Sequence, residues 1–161
     1  MKVRKRVMIW LLVTLIAIPI LYYISYAAIC PAINDARADS IEKEFINISM
    51  PAQTEIVESY SFCGAGVGTN INSIGIWSGI LIKSQLPETE LTQWADGITA
   101  SISYTALDFS LWTVPEDLSS QYPEPKDFIQ FEHFNGMNEA KGYYIIGAYF
   151  YPVTQFDSRA Y

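Results

Sequence analysis

Cys63 and His133 are the side chains of this sequence with the types that nucleophilic catalysis uses. A thiolate attacks carbonyl or sulfur centres, and an imidazole beside it takes up the thiol proton. Such dyads form in space rather than along the chain, so their distance in sequence is no obstacle. The residues around Cys63 include no lysine or arginine that would lower its pKa. His133, the single histidine, falls in DFIQFEHF (127–134). That stretch reads as a short strand, with His133 on the face of Ile129 and Phe131. The expectation is a packed strand histidine and a structural Cys63, with Cys63 and Cys30 as two unpaired thiols. A minor thiol enzyme or hydrolase using Cys63 and His133 is the alternative reading.

Three glycines at alternate positions, Gly64, Gly66 and Gly68, lie in SFCGAGVGTN. A phosphate loop needs a helix N-terminus after its glycines. Here TNINS and then a β-alternating segment follow, with no Gly-Lys-Ser/Thr, so 64–72 is expected to be a hairpin loop. Glu116, Asp117, Glu124 and Asp127 cluster in a Pro-rich stretch and read as a solvated acidic loop rather than a calcium site. Asp157 and Arg159, two apart, are expected to pair or to cap a sheet. No HExxH, CxxC, GxSxG or EF-hand pattern occurs. No catalytic, metal or cofactor residue is assigned.

The elements that must position these residues begin with a charge step. Lys2, Arg4, Lys5 and Arg6 precede a stretch, 7–34, without a charged residue. From Asp35 onward there are 17 acidic and six basic residues, a net charge of −11. That balance disfavours nucleic acid, whose phosphates require clustered Lys and Arg. It also disfavours lying flat on anionic lipid. Val7 to Cys30 is 24 residues, roughly 36 Å as a helix, against a hydrocarbon core of about 30 Å. Trp10 at one end and Tyr22, Tyr23 and Tyr26 at the other resemble interfacial aromatic belts. Ala36-Arg37-Ala38 has a small-x-small form but lies past the apolar run. Ile29 before Cys30 does not fit a lipoprotein signal. The reading is a cytoplasmic basic leader (1–6), a single-pass transmembrane anchor (7–30), a juxtamembrane helix or linker (31–49) and an extracytoplasmic domain (50–161), at the cell membrane.

Within 31–49, Ile33, Ala36, Ile41 and Phe45 recur at near-helical spacing, ending before Pro51. TEIVESYSFC (54–63) reads as a strand. In SIGIWSGILIKS (73–84), Ile74, Ile76, Ser78, Ile80 and Ile82 share one face, and Gly75, Trp77, Gly79, Leu81 and Lys83 the other. LPETELTQWADGI (86–98) has a helical face of Leu91, Trp94, Ala95 and Ile98, with Pro87 at its start. Residues 98–114 read as a strand, 115–126 as a loop, 135–142 as a turn, and YYIIGAYFYP (143–152) as a strand apolar on both faces. The expected fold class is α+β. An antiparallel sheet of order β-β-α-β-β-β packs against one helix, behind the transmembrane helix.

PAQTEIVESYSFCG, SGILIKSQLPETEL and the closing FDSRAY resemble a family of small single-pass membrane proteins of Gram-positive bacteria. Its extracytoplasmic domain carries a TEIVES strand, a GAILIKS strand and a late F-D-x-R segment. The resemblance covers roughly residues 50–95 and the last ten, and departs from the pattern at Trp77-Ser78 and Ala160-Tyr161. It implies an anchored bacterial domain and no particular activity. The expected partners are membrane lipid through 7–30, and another envelope protein or a cell-wall component. An exposed subset of Trp77, Trp94, Trp112, Tyr143, Tyr144, Tyr149 and Tyr151 would serve such binding, whereas core packing is the default for each. A purely structural or assembly role is the third reading.

Overall fold

The computed structural model describes residues 2–65, 74–98, 106–114, 131–134 and 140–160. Helix α1 (Lys2–Ile24) passes through one π-helical turn (Ser25–Ile29) directly into α2 (Cys30–Ile46). The turn has a local cause. Pro31 has no N–H and its ring crowds the carbonyl four residues back. Just before it the ladder loosens to five-residue spacing, with the Cys30 amide donating to the Ser25 carbonyl. The helical segment therefore runs on from α1 to α2 without an intervening loop.

The chain then forms β1 (Thr54–Ala65), β2 (Ile74–Ser84), α3 (Glu88–Ile98), β3 (Ala106–Thr113) and β4 (Tyr143–Phe150). The strands make one antiparallel sheet of order β1-β2-β4-β3. The fold class is α+β, as the alternation of periods implied. β2 lies between β1 and β4, which accounts for its nearly complete burial.

The sheet is covered on both faces. On one, Ile76, Ile80, Ile82, Ile146 and Phe150 pack with Ala38, Ile41 and Phe45 of α2 and Leu91 of α3. On the other, Trp77, Leu81 and Ile145 pack with Val114, Phe131, Phe134 and Ala140. The period-two split of β2 is thus realised residue by residue. A bulge between Ile56 and Glu58 sets Val57 and Glu58 together against Leu81. Ser59, Ser61 and Cys63 thereby face α2, where the Glu42 carboxylate accepts from Ser59 Oγ at 2.5 Å and Ser61 Oγ at 2.8 Å.

Trp77 needs two glycines. Gly79 and Gly147 are register partners, and the indole lies across them. A Cβ on Gly79 would stand 2.4 Å from the Ile146 carbonyl oxygen, and one on Gly147 2.5 Å from the Trp77 ring.

The helix expected within 31–49 is present as α2, but several other expectations require correction. Asn34, Ala38, Ile41 and Phe45 of α2 are buried against the sheet, so two helices pack on it rather than one. The inward stripe is 34-38-41-45, while Ile33 and Ala36 are exposed. Residues 131–134 are not strand. Phe131 precedes a 3-10 turn, Glu132–Phe134, whose Glu132 and His133 amides donate to the Glu58 carboxylate at 2.9 and 2.8 Å. This acceptor comes from a distant strand, so local alternation could not reveal it. Of the strand expected over 98–114, Ala106–Thr113 is strand, and Ile98 is the last residue of α3. Gly64 and Ala65 belong to β1. Residues 66–73, 99–105, 115–130 and 135–139 lie outside the described residues, and with them the rest of the 64–72 loop and the acids Glu116, Asp117, Glu124 and Asp127.

Gly79→Ala is expected to lower unfolding stability by about 3 kcal/mol, because the nearest obstacle is backbone. Gly97→Ala, with open space around its Cβ, is expected to gain about 0.5–1 kcal/mol from helix propensity. Denaturant titration of the two variants in detergent checks both signs.

Candidate functional site

The sheet has two chemically different ends. At the end where α1 leaves, the chain after β4 folds back over the start of α2. Asp157 is fully buried. Its two oxygens are held by Arg159 through Nε at 3.0 Å and Nη2 at 2.7 Å, with a further bond from the Arg159 amide at 3.0 Å. Asn34 Nδ2 donates to Asp157 at 2.9 Å and to the Thr154 carbonyl at 2.8 Å, and Asn34 Oδ1 accepts from the Thr154 amide. The guanidinium also donates to Asp35 at 2.6 Å and to the carbonyls of Cys63 at 2.9 Å and Pro31 at 3.3 Å. Gln155 bonds both backbone groups of Ile74 at 2.9 Å. Phe156 packs against Tyr22 and Tyr26, with ring centroids 4.9 and 5.0 Å apart. One short segment, 154–159, thereby ties α1, α2, β1 and β2 together.

The titration behaviour follows from this geometry. Burial by itself would raise the Asp157 carboxyl, but hydrogen bonds from Arg159 and Asn34 outweigh it and hold the group below the usual range. The bond to Asp157 in turn keeps Arg159 charged. Cys63 lies beside them, its Sγ 3.7 Å from Arg159 Nη2. Burial nevertheless dominates and pushes its thiol up to about 11, the guanidinium opposing only part of that rise.

The Cys63–His133 pairing does not assemble. Cys63 belongs to the apolar layer under α2. His133 lies on the opposite face of the sheet, its ring against Phe134 and Tyr143. Its Nε2 is 2.9 Å from the Tyr143 hydroxyl. Cys63 and Cys30 are both free. Asp157 and Arg159 do pair, in a 3-10 turn (Ser158–Ala160) rather than a strand. Among the described residues no group of three or more His, Cys, Asp or Glu side chains is placed to hold a metal ion.

At the opposite end of the sheet is an open polar cleft of about 420 Å³, lined by Gln53, Thr54, Glu55, Lys83, Ser84 and Gln85. Gln53 holds a left-handed backbone, φ +61°, which is uncommon for a residue with a side chain. It turns the chain into β1, and its carbonyl accepts from the Gln85 amide at 3.2 Å. Thr54 Oγ1 and Ser84 Oγ are 2.7 Å apart. Lys83 also lies over the Tyr143 ring, 5.2 Å from its centroid, linking the cleft to the Tyr143–His133 pair. Amides, hydroxyls, one carboxylate and one ammonium around such a volume suit a polar ligand held by hydrogen bonds. Sequence reasoning missed this cleft and the role of Asn34. The polar Asn34 on an otherwise apolar stripe was the available signal for the latter.

No family model, curated protein or solved structure matches the chain.

Arg159→Ala leaves a buried carboxylate without its partner and is expected to cost about 3–5 kcal/mol. The carboxylate of Asp157 stabilises the fold above its unfolded pKa of about 3.9, and that contribution is lost as the pH falls through its lower folded value. Asp157→Asn is therefore expected to be less stable at neutral pH and to show a flatter loss of stability below about pH 4. Thermal melts across pH check both.

Maleimide labelling at pH 8 is expected to modify Cys30 rapidly and Cys63 only after denaturation, giving two thiols per chain without reductant. No labelled thiol after denaturation without reductant, rising to two with it, would show a Cys30–Cys63 bridge and refute the free Cys63. Cys63→Ser is expected to fold, with a loss of about 1 kcal/mol.

Proposed function

We propose that this chain is a single-pass membrane protein whose extracytoplasmic domain binds an envelope protein or a cell-wall component through the polar cleft remote from its anchor. The observation that carries this reading is the continuity of the helix. Its apolar first part is long enough to cross a membrane, and its second part is a core element of the domain. The domain is therefore mounted on the span without a hinge. The cleft at Gln53, Lys83 and Gln85 is held away from that end by the length of the sheet. The basic residues at 2–6 support a cytoplasmic N-terminus, and the acidic remainder supports an outward-facing domain. The resemblance to anchored Gram-positive domains supports the same placement and adds no activity. The burial of Cys63 and its separation from His133 weigh against the thiol-enzyme alternative.

Protease added to intact, wall-stripped cells is expected to degrade the domain, and alkaline carbonate is expected to leave the full chain in the membrane. Protection of the domain would overturn the orientation, and extraction would overturn the anchor. For the cleft, a photocrosslinking residue at Gln85 is expected to give a discrete adduct in cells. The same probe at Asp96, on the outer side of α3, is expected to give none. Equal yields at both positions would refute recognition through the cleft.

A further inference from the structure

We propose that Tyr151, Val153 and Phe156 form a second membrane contact, a small apolar foot that enters the lipid headgroup–acyl boundary beside the anchor. The proposal rests on α1 being a membrane span. The first argument is one of length. Phe156 packs on Tyr22 and Tyr26, while Tyr22, Tyr23 and Ile24 stay exposed, so the run left uncovered reaches from Val7 to Ile24. Those 18 residues reach about 27 Å as a helix, slightly short of the roughly 30 Å of hydrocarbon. Extending the span to Tyr26 supplies the missing length. Phe156, wedged against that last turn, then lies at the depth of the interface.

The second argument is exposure and charge. Tyr151 is 61% and Val153 56% exposed, the large apolar side chains of the sheet domain that stand most in solvent. The sequence from Tyr143 to Phe156 contains no charged residue. The next acid, Asp157, is neutralised by Arg159. A domain of net charge −11 would be repelled from an anionic surface if it lay flat. Contact limited to the uncharged 151–156 segment, beside which Asp35 and Asp157 are both paired with Arg159, lowers that cost.

The third argument is polar satisfaction. A segment entering low dielectric must satisfy its own backbone. Here the Thr154 amide and carbonyl are both bonded to Asn34, and the Phe156 amide to Thr154 Oγ1. The Gln155 side chain is spent on Ile74. Beside these bonded groups stand the exposed apolar side chains of Tyr151 and Val153 and the half-buried ring of Phe156. A tyrosine at that depth keeps its hydroxyl in the headgroup layer.

The test uses full-length protein in vesicles of phosphatidylethanolamine and phosphatidylglycerol. Nitroxide labels are placed singly at Val153→Cys, Leu12→Cys in the anchor and Glu88→Cys at the far end of the domain, on a Cys30→Ser/Cys63→Ala background. The ratio of oxygen to aqueous nickel-chelate accessibility is then read at each. The expected ratio at 153 is several-fold above that at 88 and on the side of position 12. A ratio at 153 equal to that at 88, with position 12 lipid-like, overturns the foot and leaves the anchor standing. An aqueous position 12 overturns both. A photoreactive benzoylphenylalanine at 153, with the native cysteines kept, gives a second reading free of the altered background. Lipid adducts support the foot. Their absence, while the same probe at Leu12 yields them, overturns it.

Discussion

A buried carboxylate is the constraint around which this chain is arranged. Asp157 has no solvent, so its charge is tolerable only if the Arg159 fork and the Asn34 amide both reach it. Each partner comes from a different place. Arg159 is local, while Asn34 belongs to α2. Satisfying one ion therefore fixes residues 154–159 against the helix. The spare donors of the guanidinium then reach Pro31, Asp35 and Cys63. A bidentate arginine suits this role because its planar donors point in several fixed directions at once. Lysine would satisfy Asp157 and leave the remaining carbonyls unserved.

The remainder of the core follows from having α2 held in that position. Its stripe of Asn34, Ala38, Ile41 and Phe45 covers β1 and β2, and Leu91 of α3 extends the layer. The other face is organised around one large ring. Trp77 occupies the space left by the Gly79–Gly147 pair, with Trp112 and Phe131 centred 6.4 and 6.3 Å away. Small residues beneath and aromatic residues around let a single indole fill a broad, shallow layer. The Glu58 bulge serves the same face by holding the amides of the 3-10 turn that carries Phe134 and His133.

What was legible in the sequence was whatever depends on period. The alternation of 73–84 placed every residue of β2 on its correct face, and the spacing of Leu91, Ala95 and Ile98 found α3. The apolar run and the charge step found the long helix. What was not legible depends on partners far along the chain. Nothing near His133 announces that Glu58 will cap its turn. Nothing near Cys63 announces that Arg159 will stand beside its sulfur. The absence of a basic neighbour in sequence was a poor guide, and burial rather than that absence keeps the thiol protonated. The helix within 31–49 was legible from its spacing, but its role as a core element was not. Its inward stripe skips Ile33 and Ala36 and uses Asn34, a residue type that a search for apolar spacing passes over.

The unbroken passage from α1 to α2 has a mechanical corollary. A span joined to its domain by a flexible tether lets the two orient independently. Here no loop separates α1 from α2, and the 154–159 segment braces the junction from the side. In a bilayer thinner than the apolar run, such a helix relieves mismatch by leaning. The sheet would lean with it as a single lever, and the cleft at Gln53 and Gln85, farthest from the fulcrum, would sweep the widest arc. On the proposed reading of α1 as a span, membrane thickness would thus bear on the height and direction at which the cleft stands.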